Sequence, residues 1–233
     1  MDDDLNRALI SAAWRNDVEE VARLIEQGAD VNARDETVQS AYLIATSEGY
    51  LSLLALMLEN GADVDSRDSF NGTGLIRAAE RGHALAVGML LRAGIEIDHI
   101  NNVGWTALLE AIILGDGGQR YTDTVRVLLA AGADPLIPSQ QDGISPIDHA
   151  QARGFWTIST TLFAALHSDL PTDPIGMLFT AAASNDPDSV MLALRAGADP
   201  NVRDADGNTA LSIAARPAYQ AVTRLLHAIA GPI

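Results

Sequence analysis

Residues 104–134 read GWTALLEAIILGDGGQRYTDTVRVLLAAGAD, and the order of signals in this stretch decides the fold. Thr106 stands where a hydroxyl can accept hydrogen bonds from the free amides of a helix start, and small and apolar residues follow it as far as Gly115. After a loop, Val125, Leu128 and Leu129 recur at helical spacing. Gly132 then supplies the left-handed residue that stops the second helix. The stretch therefore predicts two short antiparallel helices and an extended turn.

Outward from it, the same unit recurs. Gly-Ala-Asp occurs at Gly28, Gly61, Gly132 and Gly197, with the variant Gly-Ile-Glu at Gly94. Successive spacings are 33, 33, 38 and 65 residues, the last close to two periods, and Gly231 lies 34 beyond Gly197. Ser40, Thr73, Ser145 and Thr209 occupy the slot of Thr106. A helix pair of this size cannot hide its own apolar face, so each unit must be covered by its neighbours in a solenoid.

The units resemble the ankyrin repeat, on the segments GWTALLEAIILG at Gly104, GISPIDHAQARG at Gly143 and GNTALSIAA at Gly207, and on GADVNARD, GADVDSRD and GADPNVRD. Seven units cover essentially the whole chain, and the resemblance implies an all-α ankyrin-repeat solenoid. Repeats 1–5 are placed in residues 1–166. Within them, residues 1–35 lack the turn signature and form an N-terminal cap repeat. The sixth unit, from Ile175, lacks that signature too, and NDPDSVMLALRAGADPNVRD mirrors NDVEEVARLIEQGADVNARD of the first. Around HSDLPTDP, residues 167–174 are read as an irregular joint or hinge, the alternative being one continuous stack. Residues 175–233 hold repeats 6–7 and close on AYQAVTRLLHAIAGPI, an amphipathic capping helix.

Composition narrows the function classes. The 233 residues are 48 % hydrophobic, enough for an ordered core, and 31 acids against 15 bases give a net charge of -16. Such a field repels polyphosphates, so nucleic acid is not an expected partner. Every base is Arg, and no Cys is present to form disulfides or thiolate sites. The start MDDDLNRALI is not a secretory signal, and no apolar run reaches membrane-spanning length. A soluble cytoplasmic protein with no membrane partner is expected.

The resemblance implies binding on the concave surface made by the first helices and the turn tips. Transferred position by position, that face carries Ser11, Trp14 and Arg15; Ile44, Ser47 and Glu48; Arg77, Glu80 and Arg81; Glu110, Ile113 and Leu114; and His149, Ala152 and Arg153. Arg77, Glu110 and His149 hold one equivalent slot and are expected in a row, about 10 Å apart. Together with Glu48, Glu80, Arg81 and Arg153, they read either as a ladder of self-satisfied charges or as a groove that reads a partner's charges. Ile113 and Leu114, with Trp105 and Phe70 at turn positions, have the composition of an interface centre unless the insertion within GDGGQRYTD folds over them.

Chemistry is otherwise sparse. Asp116-Gly117-Gly118 reads as loop flexibility before an anion nest, Asp2 to Asp4 as helix-dipole partners before a metal site, and Asp35, Asp68, Asp204 and Asp206 as turn groups. His83, His99, His149, His167 and His227 are scattered without metal spacing, and no nucleophile or phosphate-loop motif occurs. The expectation is a non-enzymatic module, without catalytic residues, metal or cofactor. It binds another protein of basic or mixed charge, with self-association through repeats 5–6 as a further possibility. The alternative is a small-ligand or catalytic groove around Arg77, Glu110 and His149, beneath the Gly115–Thr122 loop.

Overall fold

Caps set in the sequence mark where the first helix of a unit starts. In the computed structural model, which describes residues 2–231, the side chains of Ser40, Thr73, Thr106, Ser145 and Thr209 each accept a hydrogen bond from the backbone N–H three residues on. At the other end of each unit, Gly28, Gly61, Gly94, Gly132 and Gly197 take φ of 94°, 83°, 87°, 103° and 92°, where a side chain would be strained. Gly231 departs from the series, with φ of -58°.

Between these signals the chain forms α1 (Asp2–Trp14), α2 (Val18–Glu26), α3 (Ala41–Glu48), α4 (Leu51–Glu59), α5 (Gly74–Glu80), α6 (Ala84–Arg92), α7 (Ala107–Ile113) and α8 (Gln119–Ala130). Then come α9 (Pro146–Ala152), α10 (Trp156–His167), α11 (Pro174–Ser184), α12 (Pro187–Arg195), α13 (Ala210–Ile213) and α14 (Gln220–Ala230). The only pairing of extended backbone among the described residues is an isolated bridge between Arg67 and Thr73. The molecule is an all-α solenoid.

In the first five units the odd-numbered helices form an inner layer, α1, α3, α5, α7 and α9, and the even-numbered ones an outer layer. Inner helices are short and flanked on both sides, which is why residues 41–47 of α3 and 107–112 of α7 are all buried. Leu43, Leu75, Leu108 and Leu109 are 0–1 % exposed. Each contributes roughly 1.5–3 kcal/mol of burial that no single unit achieves alone. Repeats are also stitched by hydrogen bonds: the Tyr42 hydroxyl donates to the Val64 carbonyl (3.2 Å), and His83 Nε2 lies 3.1 Å from the Ser47 carbonyl. Burial pulls the His83 pKa below its ordinary value, so its ring is neutral and Nε2–H is the donor.

The last two units do not prolong this stack. After α10 the chain turns back, and α12 packs across α8 and α10 while α14 packs across α6 and α8. The outer helices of repeats 6 and 7 thus cover the outer helices of repeats 3 to 5, in reversed order along the array. Arg126, whose side chain is 6 % exposed, donates to Asp188 Oδ1 at 2.8 Å, and the Thr161 hydroxyl donates to the same oxygen at 2.8 Å. Arg224 Nε pairs with Asp123 at 2.5 Å, and Arg195 donates to the carbonyls of Leu129 and Ala133 at 2.8 and 2.9 Å. Gly88 of α6 lets α14 approach so closely that a Cβ there would overlap the Ala228 carbonyl.

The closing amphipathic helix is α14, which buries Val222, Leu225 and Leu226 and packs on α6 and α8. Its preceding helix, α13, has only four residues: beyond Ala214 the N–H groups of Ala215 and Arg216 leave the ladder and bond to the Ser212 and Ala214 carbonyls.

Candidate functional site

The open side of the inner layer is where the expected residues gather, and cross-repeat pairing sets their geometry. Arg81, exposed at the end of α5, lies 3.5 Å from Glu48 of the previous repeat. Arg77 is held by Asp68 at 3.6 Å, Glu80 at 3.5 Å and the Ser47 hydroxyl at 3.5 Å. Glu48, Glu80, Arg81 and Leu114 line one cavity of about 550 Å³ with His83, Arg120 and Tyr121. Glu48, Glu80 and Arg81 are therefore already partnered, while Leu114 stays 50 % exposed.

Further along, Arg153 is exposed and donates to the carbonyls of Ile113 and Gly115, with its guanidinium 4.8 Å from the Phe155 ring centroid. Trp105 is half-buried, and its indole N–H donates to the Ser139 hydroxyl at 3.1 Å. Phe70 stands 61 % exposed at a turn tip, and its carbonyl accepts from Asn102 N–H at 2.9 Å in the next turn. At the array's start, Trp14 is 48 % exposed and Arg15 folds onto Ser11 of its own helix.

Three positions differ from the expected face. Ile44 and Ser47 are buried, and Glu110 is only 5 % exposed. Ile44 and Glu110 hold the same slot, packed between flanking inner helices, whereas Ser47 lies one turn later, at the slot where Trp14, Glu80, Ile113 and Ala152 of the other repeats reach solvent at least in part. Glu110 Oε1 accepts from Asn101 Nδ2 at 2.7 Å, and Oε2 has no hydrogen-bond partner. Burial, together with the neighbouring Glu80, pushes the Glu110 pKa up to about 7 against the pull of Asn101 and Arg77. His149, the third member of the expected row, pairs with Asp142 of its own turn at 3.5 Å. Among the described residues Arg77, Glu110 and His149 make no hydrogen bond or ion pair with one another.

The insertion does not fold over Leu114. It lengthens α8 at its start, and Tyr121 from that turn donates to the Glu80 carbonyl at 3.2 Å. Asp116 Oδ1 accepts from Gly118 N–H at 2.8 Å, which satisfies the loop internally.

Sequence reading missed α10. Trp156 and Phe163 are 70 % and 57 % exposed, at the slots that Ala84 and Leu91 fill in repeat 3. The fold-back carries repeat 6 away from the position that would cover them. One signal was legible: WTISTTLFAALH contains no Asp, Glu, Lys or Arg, although a fifth of the chain is charged.

Fold and groove define a helical repeat solenoid with an open inner face, and comparison with known proteins specifies which. The family described as ankyrin repeats (3 copies) matches residues 42–139, ankyrin repeats (many copies) matches 178–226, and the single ankyrin repeat matches 4–36. Two putative ankyrin repeat proteins of Rickettsia felis are each 40 % identical over 50 residues, 22 % of this chain and 79 % and 76 % of theirs. An ankyrin repeat domain from Acinetobacter baumannii AYE superposes with TM-score 0.65 at 48 % identity, over 67 % of this chain and 80 % of that one. The ankyrin repeat protein EF0377 gives TM-score 0.63 at 37 % identity, over 67 % and 78 %. The chain belongs to the ankyrin repeat family. Ankyrin repeats are generally protein–protein interaction modules, and the family is generally non-enzymatic. No helix among the described residues is long and apolar enough to cross a membrane.

Proposed function

We propose that this chain is a non-enzymatic recognition module that binds another protein in its concave groove. The contact runs from Trp14 and Arg15, past Glu48, Phe70, Arg77, Glu80 and Arg81, to Trp105, Ile113, Leu114, His149 and Arg153. The observation that carries the reading is the exposure of Trp14, Phe70 and Leu114 beside charges that are already paired. Aromatic and aliphatic anchors supply binding energy, while a paired polar rim supplies selectivity. Glu110 enters only as a support beneath the Asn101–Trp105 turn. Arg77, Glu110 and His149 are each engaged by other partners, which favours this reading over a catalytic groove built from the three acting together.

The acidic chain favours a partner of basic or mixed charge over nucleic acid, with association that slows as salt rises. We also read residues 167–174 as the joint between a five-repeat array, 1–166, and a two-repeat array, 175–233. Self-association is a second reading, favoured by the charge-free exposed face of α10. Light scattering over a concentration series tests it: a monomeric mass throughout removes it, whereas a dimer that Trp156→Glu abolishes supports it.

Affinity purification with mass spectrometry from the source cells tests the groove. The captured protein should be lost with Leu114→Asp combined with Trp105→Ala. Equal capture by wild type and the double variant would remove the groove from the interface.

A further inference from the structure

A second surface lies on the outer-helix side, and the fold-back creates it. The outer layer is covered by α12 over α8 and α10, then by α14 over α6 and α8, and the cover stops before α4. Helix α4 reads LSLLALMLE, with Leu51, Ala55, Leu56 and Leu58 only half-buried. Between it and α14 runs a trough made of two adjoining cavities of about 260 and 410 Å³, which share Leu51, Leu85 and Arg224. Leu85 is 44 % exposed on its floor, and Met89 continues that floor along α6.

Charge on the trough is opposite to that of the molecule. Arg92, Arg120 and Arg224 line it, against the single carboxylate of Asp123. Asp123 is satisfied by Arg224 Nε at 2.5 Å and by Gln119 Nε2 at 2.8 Å. Among the described residues Arg120 has no carboxylate partner: its guanidinium lies 4.7 Å from the Tyr121 ring centroid and donates to the Tyr121 hydroxyl. A chain of net charge -16 thus presents a cationic rim around an apolar floor here.

We propose that the trough between α4, α6 and α14 is a second docking surface, which takes an amphipathic helix from a partner protein. One face of that helix carries Leu-type residues, and acidic residues flank them. The shape argument is register: one more helix laid beside α14 continues that cover over the half-buried face of α4. The lining from Ala84 to Arg92 follows α6 for about 12 Å, two helical turns, which matches apolar anchors spaced i, i+4 and i+7. The charge argument is complementarity, because a basic helix would meet a rim of arginines and an acidic one would gain Arg120 as a partner.

The test uses the intact chain and fluorescein-labelled helical peptides, with Leu at i, i+4 and i+7 and Glu on the flanking positions. A matched peptide with Lys in place of Glu is the control, and the readout is fluorescence anisotropy. The Glu peptides should bind wild type, lose at least ~10-fold in affinity with Leu85→Glu and with Arg120→Glu, and keep their affinity for the concave variant Leu114→Asp. Both trough residues are exposed, and circular dichroism verifies that their variants fold. No binding by any Glu peptide, equal binding of the Lys peptide, or binding insensitive to Leu85→Glu would overturn the proposal. So would dimerisation of wild type that Leu85→Glu abolishes, since the occupant would then be a second copy. Because Arg120 also lines the cavity beside Leu114, Leu85→Glu is the variant whose outcome is independent of the concave groove.

Discussion

Glu110 shows how burial converts a residue that reads as recognition chemistry into a stability element. Its carboxyl holds the Asn101 side chain, and Asn101 Oδ1 accepts from the N–H groups of Val103 and Trp105 at 3.0 Å each, so the proton state of one buried acid bears on the turn that carries Trp105. In the unfolded chain this group titrates near 4.5, and in the fold near 7. The folded state therefore keeps a proton that the unfolded chain has released between those values. The contribution is fully present below pH 4.5 and is lost as pH rises through about 7. Glu110→Gln, which keeps an oxygen for Asn101, should remove that slope. In urea denaturation, the wild-type-minus-variant difference should change by up to roughly 3 kcal/mol across this range, with the variant the more stable at alkaline pH. A difference flat with pH would show that Glu110 ionises freely in the fold. Gly88 is the second residue-scale case: Gly88→Ala should lower stability by about 1–2 kcal/mol, despite alanine's better helix propensity, because its methyl meets backbone of α14.

At the scale of elements, the caps and stops were legible because each depends only on its near neighbours. Ser40, Thr73 and Thr106 bond amides three residues away, and Gly28 and Gly61 adopt a conformation that belongs to the glycine itself. The packing of α12 and α14 was not legible, since Val190 and Leu225 would read the same beside α10 and α12 or across α8 and α6. What decides it is partnership between distant side chains, chiefly Arg126 with Asp188 and Arg224 with Asp123. Asp188→Ala strands the Arg126 guanidinium, 6 % exposed, and should cost about 3 kcal/mol. Asp4→Ala, which breaks an exposed pair with Arg7, should cost under ~1 kcal/mol. Thermal unfolding of the two variants side by side checks the contrast; equal losses would mean that the fold-back contact is not buried in solution.

For the whole molecule, the fold-back changes how unfolding propagates. A linear repeat array unfolds as coupled neighbours, and its end repeats fray first. Here α14 rests on α6 and α12 on α8, so the last repeats are tied to the middle of the array. Tryptophan fluorescence from Trp14, Trp105 and Trp156 and far-ultraviolet circular dichroism should report one coincident transition. Early loss of helix content, before any fluorescence change, would mean that repeats 6–7 detach independently.

The residues alone determined the helix-pair unit, its period, its caps, its family and its acidity, because all of these are local or additive properties. They also placed Leu114, Phe70 and Trp14 at open positions, since solvent exposure of a slot follows from helical period. Tertiary structure alone decided that Glu110 is buried, that Trp156 and Phe163 are uncovered, and that an arginine-rimmed trough opens beside α4. Those three depend on which surfaces meet, and apolar faces specify that they must be covered without specifying by what. Charged pairs more than sixty residues apart choose among the possible covers.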